Sequence, residues 1–195
     1  MTTYPLALPT ATKLNSVQFS MQNSVAIEES PFTFAQQAQA NAGQRWSAGV
    51  SLPPMRRATA ETWIGWLASL RGRFGSFYLG DPLAIAPLGT STTATLSGSS
   101  GDSDPTITMT GTLLAGDWFH LVSGTHQYLH KVLADQSGNG TINIWPALRI
   151  NASSAIVYLS SPQGTFRLGS NDTIWNVSNL EQYGISFDAV EVITV

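Results

Sequence analysis

Cysteine is absent from the 195-residue chain. That excludes disulfide frameworks, thiolate nucleophiles and cysteine-based zinc sites together, so stability has to come from packing. Charge is scarce as well: Asp, Glu, Lys and Arg supply only 11% of the residues, with a formal net charge of -3, where an ordinary soluble domain carries roughly 25%. A surface this neutral gives little electrostatic protection against association, which suits a subunit of a permanent assembly, or a secreted β-protein with a polar, uncharged surface. Long apolar runs are missing: no stretch reaches the ~18 residues of a membrane span. Met1 to Leu8 carries neither the basic start nor the apolar run of an export signal. The expectation is a chain without a membrane span. No nucleophile-elbow motif, phosphate-binding loop or dinucleotide fingerprint occurs, and neither a cofactor nor an enzymatic activity is expected.

What is there is 43% hydrophobic and 10% aromatic, enough for one large core or two small ones. Val17, Phe19 and Met21 alternate with Gln18, Ser20 and Gln22 as in a half-buried strand. Phe32–Gly43, with its Gln/Ala run, reads as a strand end followed by a hairpin or flexible arm. Trp46, Ala48 and Val50 share the face of a second strand, which Pro53-Pro54 stops. A helix over about 60–71 follows, with Thr59 as N-cap, Trp63, Trp66, Leu67 and Leu70 on one face, and Gly72 as its stop. Its tryptophans are read as core packed on a sheet.

Beyond Pro87 the texture changes to Gly, Ser, Thr and Asp, and then to five or six short strands between Thr106 and Ile156 with turn signals every ~8–12 residues. After Pro162 longer strands resume, the last expected to run to Val195. The pattern predicts a mainly β protein with one packed helix. Residues 1–87 and 163–195 are expected to form a discontinuous β-sandwich or barrel domain, and residues 88–162 an inserted small β-barrel or sandwich (OB-like).

Three histidines, His120, His126 and His130, fall near Asp117 and Asp135 without metal-ligand spacing, and are expected as solvated strand residues rather than a metal site. Asp102, Asp104, Asp117 and Asp135 sit in turn contexts, so they read as turn residues rather than a glycosidase pair. Trp118, Tyr128 and Trp145 are the candidate stacking platforms if the insert binds a carbohydrate or receptor. Five of the nine basic residues, Arg45, Arg56, Arg57, Arg71 and Arg73, lie close together in sequence. The whole chain is slightly acidic, which argues against nucleic-acid binding and for subunit contacts, with Glu28, Glu29 and Glu61 as partners.

Arg45-Trp-Ser-Ala-Gly-Val-Ser-Leu-Pro-Pro-Met55, the helix, and Leu70-Arg-Gly-Arg-Phe-Gly-Ser-Phe-Tyr-Leu-Gly-Asp-Pro82 together resemble tail-tip proteins of long-tailed bacteriophages (siphophages), of the distal tail protein type. Ala115-Gly116-Asp117, Ser137–Gly140 and Ile144–Arg149 look like the insert of such proteins, and Gly164–Leu168 and Gly184–Phe187 continue the likeness. The resemblance spans about three quarters of the chain. It implies a tail-tube-like β-fold in a homo-oligomeric ring, commonly of six copies, between the tail tube protein and the tail hub, with other tail-tip proteins docked outside. It also implies that DNA passes only as transient cargo, and that the protein is made in the host bacterial cytoplasm and carried at the tail tip of the virion.

Overall fold

The structure is a computed structural model and describes every residue except 1–2, 11–12, 179–181 and 195. Among the described residues it is mainly β, with several antiparallel sheets, none closed into a barrel, and a single α-helix. The main sheet begins with a long hairpin of β1 (Ser16–Glu29) and β2 (Gln36–Ser51). Helix α1 (Arg57–Ser69) and β3 (Phe77–Leu79) follow. Nine short strands come next: β4 (Ala94–Gly98), β5 (Thr106–Met109), β6 (Thr112–Leu113), β7 (Trp118–Ser123), β8 (His126–Val132), β9 (Gln136–Ser137), β10 (Gly140–Thr141), β11 (Ile144–Trp145) and β12 (Ala152–Val157). The chain then returns through β13 (Gly164–Leu168), β14 (Trp175–Val177) and β15 (Tyr183–Glu191). The strand order of the main sheet is β1-β2-β15-β13-β3, with β14 added to β15.

Strand periodicity explains the first core. Val17, Phe19 and Met21 stand opposite Val50, Ala48 and Trp46, and Phe187 and Ala189 continue the row across β15. Alternate residues therefore put one apolar face on α1. Trp63, Leu67 and Leu70 are buried there. Trp66 and Phe77 cross edge to face at 5.1 Å, and Trp66 donates its indole N–H to the Ala7 carbonyl at 2.9 Å. The helix is capped three residues before the expected Thr59: Arg56 is the N-cap and offers no side-chain hydrogen bond. Its last turn ends in two left-handed residues, Arg71 and Gly72, so the stop foreseen at Gly72 already begins one residue earlier. The final strand ends at Glu191 rather than running on, and Val195 lies outside the described residues.

Strands β4 to β12 form three small sheets, ordered β10-β5-β4-β12, β11-β8-β7 and β6-β9. They enclose a second core that includes Leu96, Ile107, Leu113, Phe119, Leu121 and Val132. Backbone hydrogen bonds between His120 and Tyr158 join β7 to the end of β12. The outgoing and returning chains cross at Gly80, where a Cβ would lie 2.1 Å from the Pro162 carbonyl oxygen. Only glycine lets the two backbones approach that closely.

Candidate functional site

Two strands of 14 and 16 residues are far longer than the usual 5–6, and only their base is covered. Ser16–Ser20 and Ser47–Ser51 pair within the sheet, while from Met21 to Gln44 neither face is buried. The pairing shifts at Ser24, where Asn23 still faces Gln44 but Val25 faces Ala40. Such a bulge bends and twists the hairpin where it leaves the body. The result is an arm with open edges carrying exposed Val25, Ile27, Phe32 and Phe34, the last two 92% and 74% exposed. Phe34 closes the turn with a φ of +55°, a left-handed conformation that costs an aromatic residue about 1–2 kcal/mol. Glu28 and Glu29 are the only charges between Met21 and Gln44.

The base of the arm is held by the inserted segment. The Trp145 indole N–H donates to Asn23 Oδ1 at 2.8 Å, and Ala147 N donates to Gln44 Oε1 at 2.8 Å. Arg149 donates to the Gln44 carbonyl and lies 3.4 Å from Glu191 Oε2, which also accepts from Trp46 N at 2.9 Å. Burial pushes the Glu191 carboxyl above its usual pKa, and the Arg149 guanidinium and the Trp46 N–H pull it back. Trp46 further packs edge to face with Trp145 at 4.4 Å and tilts against Trp118 at 4.8 Å. The arm therefore springs from a rigid aromatic and ionic root.

The five arginines separate in space. Arg45 sits at the arm root and bonds Gln22 Oε1 at 2.6 Å. Arg56 and Arg57 flank the first turn of α1, and Arg71 and Arg73 follow its last turn, where Arg73 N donates to Asn171 Oδ1. Arg57 pairs with Glu61 at 3.5 Å along the helix, so that expected partner lies within the same chain. Arg56, Arg57 and Ala58 line a cleft of about 730 Å³ with Val177, Ser178, Gln182 and Tyr183. Beside it β14 is exposed along its whole length.

The candidate stacking rings are packed away. Tyr128 and Trp145 are buried, with the Tyr128 hydroxyl 2.7 Å from Thr194 Oγ1. Trp118 packs against the first core and is covered by Lys131 Nζ at 4.2 Å. None of the three offers a free ring face. The half-exposed Tyr158 lies instead in an open groove walled by Thr92, Thr95, Thr108, Asn139 and Ile156.

His120 and His130 are buried, contrary to the expectation of solvated histidines. His120 stacks on Tyr158 at 4.8 Å and His130 on Phe119 at 5.2 Å. Desolvation lowers each imidazole to about 4. The Pro146 carbonyl can only accept, so the 2.8 Å contact places a proton on His130 Nδ1. Among the described residues no three His, Asp or Glu side chains group as a metal site. The carboxylates serve turns: Asp117 accepts from the backbone N–H groups of Leu88, Gly89 and Leu114, Asp135 from that of Ala115, and Asp102 from that of Asp104. Asp104 is bonded by Ser103 and Asn143.

No protein-family model and no curated protein matches the chain. Sequence reasoning missed the Arg149–Glu191 pair, whose members are 42 residues apart and follow no local pattern. It also missed the cleft, because β14 carries no burial signal. Among the described residues, no helix is long and apolar enough to cross a membrane.

Proposed function

We propose that this chain is a structural subunit of the tail tip of a long-tailed bacteriophage. Copies would form a ring that joins the tail tube to the central hub and docks peripheral tail proteins. The β-rich body would have the tail-tube-like fold of the proteins it resembles, with residues 88–162 as the outward OB-like insert. Its work is done by shape and interface rather than chemistry, and DNA passes through as cargo.

The observation that carries this reading is the Met21–Gln44 arm. A two-stranded ribbon with both faces in water is marginal by itself, and open edges studded with apolar side chains are an aggregation hazard unless a partner covers them. The sparse charge of the surface points the same way. Carbohydrate binding through Trp118, Tyr128 and Trp145 loses its support because those rings are packed. Light scattering on the purified protein, followed by electron microscopy of the species found, tests the proposal. Closed rings of one stoichiometry are expected; a monomer at every concentration, with no rings on the grid, would count against it.

A further inference from the structure

We infer that the arm tip of one copy docks head to tail into the Arg56–Arg57 cleft and onto the exposed β14 of the next copy. The inference rests on the ring-subunit reading and names its intersubunit contact.

The register of β15 puts the two surfaces at opposite ends of the molecule. Tyr183–Ile185 pair with β14, whereas Ser186–Val190 pair with Ser51–Ser47 of β2. From Ser47 the arm continues past the far end of β15 for another eleven residues to Gln36. With the seven residue steps of β15 from Tyr183 to Val190 added, and at about 3.4 Å per residue, tip and cleft of one copy stand on the order of 60 Å apart along the strand direction. A contact between them therefore needs a second copy, and it joins two different surfaces. Such a heterologous contact propagates, and it closes into a ring when the rotation per step allows.

The surfaces match in charge and in apolar content. The tip carries Glu28 and Glu29 and no Lys or Arg from Met21 to Gln44. The cleft presents Arg56 and Arg57, of which Arg57 is partly neutralised by Glu61. Bidentate guanidinium–carboxylate pairing suits this meeting of two acids and two arginines. Around the charges, Val25, Ile27, Phe32 and Phe34 on the arm face Ile174, Trp175 and Val177 on and beside β14, all seven of them exposed in the single chain. The unpaired backbone of the arm and of β14 can add main-chain hydrogen bonds between copies. The strained, exposed Phe34 fits a residue kept for contact rather than for the stability of its own turn.

The test is a charge exchange read by sedimentation at fixed protein concentration. Glu28→Arg with Glu29→Arg, and separately Arg56→Glu with Arg57→Glu, should each weaken self-association by about tenfold or more; all four changes together should restore it to within about threefold. Unchanged association in either pair, or no recovery in the combination, overturns the inference. A second readout uses the absence of native cysteine: a mixture of the Glu28→Cys and Ser178→Cys proteins should give interchain disulfide heterodimers in excess of homodimers on oxidation, and their absence overturns it. Rings that survive both charge pairs would sink this contact but keep the ring reading. Disulfide heterodimers from a protein that otherwise forms only open oligomers would keep the contact and sink the ring.

Discussion

His130 is fully buried and keeps its proton on Nδ1 for the Pro146 carbonyl, so the second proton of an imidazolium would be buried against Phe119 and near Arg149. Its folded pKa of about 4 lies below the ordinary 6.5, so the unfolded chain takes up that proton first as pH falls. The stability His130 protects is therefore whole above pH 6.5 and lost progressively down to pH 4, by ~3 kcal/mol. His120 acts in the same sense but is less enclosed. Glu191 opposes both: its folded pKa is raised, so falling pH protonates the native state first and favours it. With two histidines against one carboxyl, the urea midpoint should drop between pH 7 and pH 4.5, and His130→Gln should flatten that drop. A midpoint that holds steady or rises would refute the argument. The burial of these histidines was illegible in sequence for a physical reason. Alternation along β8 tells which residues share a face, but this strand is covered on both faces, so neither parity marks solvent.

At the scale of elements the arm raises the opposite problem. Strand prediction looks for one apolar face, and Phe32–Gly43 has none, so the Gln/Ala run left a hairpin and a flexible arm undecided, and the arm is a hairpin. The base was legible because Val17, Phe19, Trp46, Ala48 and Val50 bury one face there. The same contrast predicts how the arm can be removed. Asn23 and Gln44 are directly paired and each bonds the inserted segment, whereas no residue of Ser24–Gly43 is itself buried. Replacing Ser24–Gly43 by Asn-Gly would join a paired position through a two-residue type I′ turn. Folding stability should change by less than about 1 kcal/mol in chemical denaturation, because little buried apolar surface is newly exposed and less chain is ordered. Self-association should disappear in light scattering. A large loss of stability would mean that the arm supports its own body; retained assembly would mean that other surfaces suffice.

For the whole molecule the question is whether two cores make two folding units. The discontinuous sequence pattern suggested as much, and each core has its own buried set. The strands between them are shared, however. Val132 of β8 and Ile144 of β11 enter the second core, while Leu129 of β8 and Trp145 of β11 enter the first. Residues of opposite parity on one strand point to opposite faces, so β8 and β11 form a wall common to both cores. Polar links cross the same boundary: the Trp46 indole N–H donates to the Leu129 carbonyl, Gln127 N to Thr165 Oγ1, and Arg149 meets Glu191. Melting residues 88–162 alone would strip one wall from the first core, leave Trp46 without Trp118 and Trp145, and take from Glu191 its Arg149 partner. That coupling favours joint unfolding. Calorimetry of the arm-shortened monomer, which removes association from the measurement, should give one transition with calorimetric and van't Hoff enthalpies equal. Two resolved transitions would show that the common wall is too weak to bind the cores together and that residues 88–162 unfold as an independent unit.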